Sequence, residues 1–209
     1  MARTVTVTER RRDAARTRAA ILAAAKDLLA ERGFAHWGIN GVARAAGCDK
    51  QLIYRYFGGL DGLADAIGED IAQWLEAALA AGPDPAPPAS YAELMGRLAV
   101  ALLDALRANR LAQRIIAWEL AEQSPLATRF SAARGKALAA WVARERGTLQ
   151  RPTGVDAPMI NALLVAGVQQ FALADATGGR FMGIDLSEEA SWERVRAAIA
   201  AMTRAMYGA

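Results

Sequence analysis

Cysteine is almost missing from this chain. There is one, Cys48, in 209 residues, which excludes an internal disulfide and leads us to expect a reducing, cytoplasmic setting. Histidine also occurs once, as His36. No Walker, zinc or triad pattern is found. Glu119 and Glu122 stand three residues apart, but no histidine or second carboxylate pair joins them in a metal site. Side-chain catalysis needs a nucleophile or an acid–base set within reach, so an enzyme is not expected, and neither is a cofactor. No run of 18 or more apolar residues has the character of a membrane span. The stretch from Pro158 to Ala174 comes nearest but holds Asn161, Gln169 and Gln170, so no membrane partner is expected. The first residues, MARTVTVTERRRDAARTR, carry charge without the apolar core or cleavage site of a secretion signal.

Alanine, in contrast, is abundant, and β-branched residues are sparse. Apolar positions recur at helical spacing in a chain that is 54% hydrophobic, so an all-α protein is expected. Ile21, Leu22, Ala25, Leu28 and Leu29 form one stripe of a helix over 10–32, preceded by a disordered arm over 1–9. Gly33 ends that helix. Two short helices should follow, over 39–46 and 50–57, with Asp49 capping the second. Neither could persist alone. Their expected inward residues are Val42, Ala46, Leu52, Ile53 and Phe57.

A long helix over 60–80 comes next. Four prolines between Pro83 and Pro88 then forbid a helix and mark a stiff linker. Five more helices are expected, over 91–107, 110–122, 125–146, 156–177 and 188–207, with loops at RGTLQRPTGVDAP and TGGRFMGIDLSEE. No internal repeat is seen.

Charge is unevenly spread. Residues 1–60 hold 11 Lys+Arg against 5 Asp+Glu, and the remainder 14 against 17. A basic first quarter on an acidic remainder suggests a polyanionic partner at one end only. That basic end contains ARAAGCDKQLIYRYF, residues 43–57, where two short helices meet at a Gly-Cys-Asp corner. Braced by an earlier helix, this is the pattern of a helix-turn-helix. In such a motif the second helix enters the major groove of DNA and its first residues face base edges. Lys50 can donate to guanine, Gln51 can pair with adenine, and Tyr54, Tyr56 and Arg55 can bind phosphates, helped by Arg10, Arg11, Arg12, Arg16 and Arg18.

The stretch TRAAILAAAKDLLAERGF followed by INGVARAAGCDKQLIYRYFGGLDGL, residues 17–63, resembles the N-terminal domain of the TetR (tetracycline repressor) family of bacterial transcription regulators. Thr17-Arg18, Ile21-Leu22, Ala24, Leu28, Gly33-Phe34, Val42-Ala43, Ala46-Gly47, Tyr54, Phe57 and Leu63 carry the likeness. The resemblance implies a DNA-binding domain over 1–59 and a helical ligand-binding and dimerisation domain over 60–209. It implies a DNA surface made of Arg18, Asn40, Lys50, Gln51, Leu52, Tyr54, Arg55 and Tyr56. It further implies a homodimer formed through helices 156–177 and 188–207, and a repressor that reads a palindromic operator. An apolar or aromatic effector would bind after the linker, where Arg114, Trp118, Glu119, Trp141, Gln169 and Phe171 are the candidate contacts, and would change the spacing of the two reading heads. The chain departs from the family at Trp37 and Gly38, where Thr and Ser or Thr are usual, and at Leu60, where Lys is usual. Those losses raise the rival reading of a ligand-sequestering or scaffold protein with a decayed DNA-binding head.

Overall fold

The structure is a computed structural model that describes residues 7–81 and 86–208, with side chains of the first helix described from Arg11 onward. Among these residues there are nine α-helices: α1 (Val7–Arg32), α2 (Ile39–Ala45), α3 (Lys50–Phe57), α4 (Leu60–Ala80), α5 (Tyr91–Ala108), α6 (Arg110–Ala121), α7 (Pro125–Arg146), α8 (Ala157–Thr177) and α9 (Glu189–Tyr207). The protein is all-α but for one short hairpin. Helix α1 starts three residues before the expected Arg10. The rest of the expected disordered arm, residues 1–6, and the linker residues 82–85 lie outside the described residues.

The chain forms two compact units. The first comprises residues up to Asp70 together with Arg114–Ser131; the second comprises Ile71–Gln113 and Ala132 onward. Helices α4, α6 and α7 are each shared between them.

In the first unit, α1, α2 and α3 pack around Ile21, Ala25, Leu29, Val42, Ile53 and Phe57, all buried. Ala46 and Leu52, expected inside, are half-buried. A 3-10 turn over Phe34–His36 follows α1, and Phe34 plugs the core beside Phe130, ring centroids 5.9 Å apart. Trp118 on α6 donates its indole N–H to the Ala30 carbonyl at 3.1 Å, and Glu122 accepts from the Ala35 amide at 3.0 Å. Residues 114–131 thus belong to the first unit because they tie down the end of α1.

In the second unit, α5 is the central element and packs against α8 and α9. Its buried face includes Leu94, Met95, Leu98, Leu102, Leu103 and Leu106. Ser90 caps it, accepting from the Glu93 amide, while the Glu93 carboxylate accepts from the amide of Ala89, just before the cap. The segment expected as a loop between α8 and α9 holds two short strands, β1 (Arg180–Phe181) and β2 (Ile184–Asp185), antiparallel with Arg180 opposite Asp185. Met182 and Gly183 turn it with φ of 50° and 80°, the paired positive angles of a tight hairpin turn. Phe181 packs edge-on against Phe171 of α8 at 5.0 Å.

Helix α8 is the one helix among the described residues that is long and apolar enough, by length and composition, to cross a membrane. Its Asn161 is engaged inside the second unit, donating to the Tyr91 hydroxyl at 2.9 Å and accepting from the Tyr207 hydroxyl.

Candidate nucleic-acid interface

Helix α3 is eight residues long and is held by its ends and its underside. Asp49 caps it, its carboxylate accepting from the Gln51 amide at 2.8 Å, and Gly58 closes it in the left-handed conformation at φ 76°. Ile53 and Phe57 point into the core at 0% and 9% exposure. The corner between α2 and α3 turns at Gly47 with φ 60°, a backbone state that costs glycine little. The amide of Cys48 then returns to the Ala43 carbonyl at 3.0 Å. Burial, with a smaller push from the Asp49 charge, raises the Cys48 thiol above its ordinary value, which disfavours the reactive thiolate.

With its underside fixed, α3 turns its polar residues outward. Lys50, Gln51, Tyr54 and Arg55 are exposed, Tyr54 at 55%. Asn40 at the start of α2 is exposed too, while Leu52 and Tyr56 are half-buried. Arg18 is exposed and lies with its guanidinium 4.8 Å from the Phe57 ring centroid. That cation–π contact holds an α1 cation beside α3. Arg55 sits 5.8 Å over the ring of Tyr56. Arg18, Lys50 and Arg55 have no ion-pair partner among the described residues. All eight DNA-contact candidates therefore lie on α1, α2 and α3 of the first unit, and six of them on α3.

Trp37 explains one departure from the family pattern. Its indole is 4% exposed and donates to the Ala25 carbonyl of α1 at 3.0 Å. Trp37 therefore braces α2 from inside, where a hydroxyl would have stood outside. Gly38 caps α2 through its backbone alone, with no side-chain hydrogen bond. His36 is exposed, with Nδ1 3.0 Å from the Arg32 carbonyl.

The six effector-contact candidates divide between the two units. Arg114, Trp118 and Glu119 belong to the first unit, and Trp141, Gln169 and Phe171 to the second. Trp118 is spent on the end of α1, through its bond to the Ala30 carbonyl. Trp141 is buried beside a cavity of about 880 Å³ that also borders α5 and α9. Phe171 lines a different one, of about 540 Å³, between α8 and α9. A third cavity, of about 350 Å³, is bordered by α5, α7 and α8 and contains none of the six. The buried amide is Gln113 instead of Gln169, 1% exposed and donating to the Ala172 carbonyl at 3.3 Å. An aromatic on a helical stripe reads alike in sequence whether it faces a cavity or a distant neighbour, so nothing local could have separated these cases.

A capped, outward-facing α3 on a three-helix base, followed by a second helical unit, defines a helix-turn-helix protein of the bacterial regulator type. Residues 21–67 match the family described as bacterial regulatory proteins, tetR family. Comparison with curated proteins found no match. Among solved structures, a candidate transcriptional regulator of Streptomyces coelicolor is similar over 92% of this chain and 98% of its own, at 25% identity and a TM-score of 0.58. A TetR-like transcriptional regulator of Rhodococcus sp. matches over 92% and 97%, at 21% identity and a TM-score of 0.61. The regulator FadR of Bacillus subtilis, solved in complex with stearoyl-CoA, matches over 88% and 96%, at 15% identity and 0.62; likenesses this distant bear on the fold alone. Residues 21–67 thus carry the TetR-family N-terminal domain, and the fold along the chain is that of TetR-family transcriptional regulators.

Proposed function

We propose that the protein is a ligand-responsive repressor that binds a palindromic operator as a homodimer in the cytoplasm, and that it is not an enzyme. The observation that carries this reading is the outward set Lys50, Gln51, Tyr54 and Arg55 on a capped helix. Lys50 and Gln51 read base edges from the first turn of α3. Tyr54, Tyr56, Arg55, Arg18 and Asn40 hold the phosphates, and Leu52 offers an apolar contact. One such head spans a few base pairs, and useful affinity needs two, about 34 Å apart on one face of the duplex.

Helices α8 and α9 supply the mate's surface. Met159, Leu163 and Met202, on α8 and α9, are 58%, 67% and 51% exposed, and apolar side chains grouped on two packed helices suit a covering partner. A second copy covering α8 also accounts for its membrane-like composition without a membrane. On this reading the functional boundary falls near residue 59, with reading before it and dimerisation and effector binding after. The effector is an apolar or aromatic compound held in the second unit.

Selection of duplexes from a random pool tests the reading. An enriched inverted repeat is the expected result, with log K falling linearly against log salt. No enrichment, together with a flat salt response, would leave the decayed-head alternative standing.

A further inference from the structure

The 350 Å³ cavity between α5, α7 and α8 differs from the other two in its polar groups. Most of its wall is apolar: Met95, Leu98, Leu138, Val142 and Val165. Two arginines border it, Arg146 at the end of α7 and Arg151 in the loop beyond. No carboxylate lines it. The Nε of Arg146 is buried and has no hydrogen-bond partner, and no ion pair to Arg146 or Arg151 occurs among the described residues. A buried guanidinium N–H without an acceptor loses its hydrogen bond to water and gains none in return, so it is one donor short of a partner.

A third donor faces the same space. The Tyr91 hydroxyl accepts from the Asn161 side chain at 2.9 Å, and Asn161 accepts in turn from Tyr207. That bond occupies one lone pair of Tyr91 and leaves its own O–H free to donate. Tyr91 and Asn161 both line the cavity. Every polar side chain there except the Asn161 amide therefore offers a proton donor, and an anionic acceptor would complete the set.

We propose that this cavity binds a small amphipathic carboxylate, its apolar body among the Leu, Met and Val side chains and its anionic end on Arg146 and Arg151. The proposal rests on the reading of the second unit as the effector domain, and it narrows the effector from any apolar compound to one carrying a single negative charge. A guanidinium grips a carboxylate through paired charge-assisted hydrogen bonds. The burial of the Arg146 Nε makes those bonds worth more than at an open surface. A cationic compound is excluded by the same two side chains.

Calorimetric titration of the full-length protein with decanoate, decanol and decyltrimethylammonium, all below their micelle-forming concentrations, tests this. Decanoate should bind, decanol at least about tenfold more weakly, as expected for losing one charge-assisted hydrogen bond, and the cation not at all. Arg151→Gln, an exposed change with little bearing on folding, and Arg146→Gln should each weaken decanoate by about tenfold and leave decanol unchanged. Leu98→Trp, filling the cavity, should abolish binding of both, with circular dichroism confirming the fold. Equal affinity for decanoate and decanol, or an unchanged decanoate affinity in both arginine variants, overturns the proposal, as does absence of decanoate binding at millimolar concentration. Because the titration contains no DNA, it stands apart from the operator reading. An enriched inverted repeat with no decanoate binding defeats the cavity proposal alone, and decanoate binding with no enriched duplex supports it while defeating the repressor reading.

Discussion

Two patches, one in each unit, expose opposite kinds of side chain. On α3 of the first, the outward residues are cationic or hydrogen-bonding: Lys50, Gln51, Tyr54 and Arg55. On α8 and α9 of the second, Met159, Leu163 and Met202 face outward, and α8 presents Ala162, Ala166 and Gly167 beside them. Water tolerates the first surface indefinitely and penalises the second. A polar face waits for a partner that carries compensating charge, whereas an apolar face needs covering by something as apolar as itself. On the proposed reading, DNA meets the first surface and a second copy of the chain covers the other.

The comparison can be broken most decisively from beneath α3. Phe57→Ala should cost about 3–5 kcal/mol through lost burial and the cavity left behind. It should also release Arg18 from its aromatic seat. Thermal unfolding is expected to split into two transitions, the first unit melting early and operator binding vanishing while the second unit keeps its helices. Next comes the apolar face. Leu163→Arg with Met202→Arg should give monomers by analytical ultracentrifugation at concentrations where the parent is dimeric. Operator affinity should fall by at least about a hundredfold, since each half-site then binds alone. A dimer that survives both changes would place the twofold contact elsewhere.

Smaller effects sharpen the reading head. Gln51→Ala should cost about 1–3 kcal/mol on the preferred operator and flatten preference at one base pair, measured by competition against single-base variants. Tyr54→Phe should weaken all duplexes alike by about 1 kcal/mol. The smallest expected effect lies in the second unit and concerns pH. Hydrogen bonds from Arg107 and Arg196, with their charges, hold the Glu189 carboxyl below its ordinary value. A depressed carboxyl contributes stability that is present above its unfolded value and lost as pH falls through the folded one. The melting temperature should therefore decline slightly below about pH 4.5, and Glu189→Gln should remove part of that decline.

Most of the helical layout was readable in the sequence, because caps and stops are local. Asp49, Ser90 and Asp156 each accept from an amide within three residues, and Pro125 opens its helix where proline fits. The outward placing of Lys50, Gln51, Tyr54 and Arg55 was readable for a related reason: α3 is so short that these polar residues have nowhere to go but out. The contacts that escaped depend on distant partners. Trp118 reaches α1 across 88 positions and Gln113 reaches α8 across 59, and no spacing rule reports on contacts of that range. The brace made by Trp37 was equally hidden, since a residue replacing a cap hydroxyl reads as a loss until its indole is seen on the Ala25 carbonyl. The hairpin between α8 and α9 is only two residues a side, too short for an alternating pattern to register.

Gly62 ties the reading helix to α4. A Cβ at that position would overlap the carbonyl oxygen of Phe57, the last residue of α3, so the two helices meet with no slack between them. The end of α3 and the start of α4 are therefore a single mechanical part: a tilt imposed on one is a tilt of the other. In a saturation library scored for operator binding, the column for position 62 should tolerate one letter only.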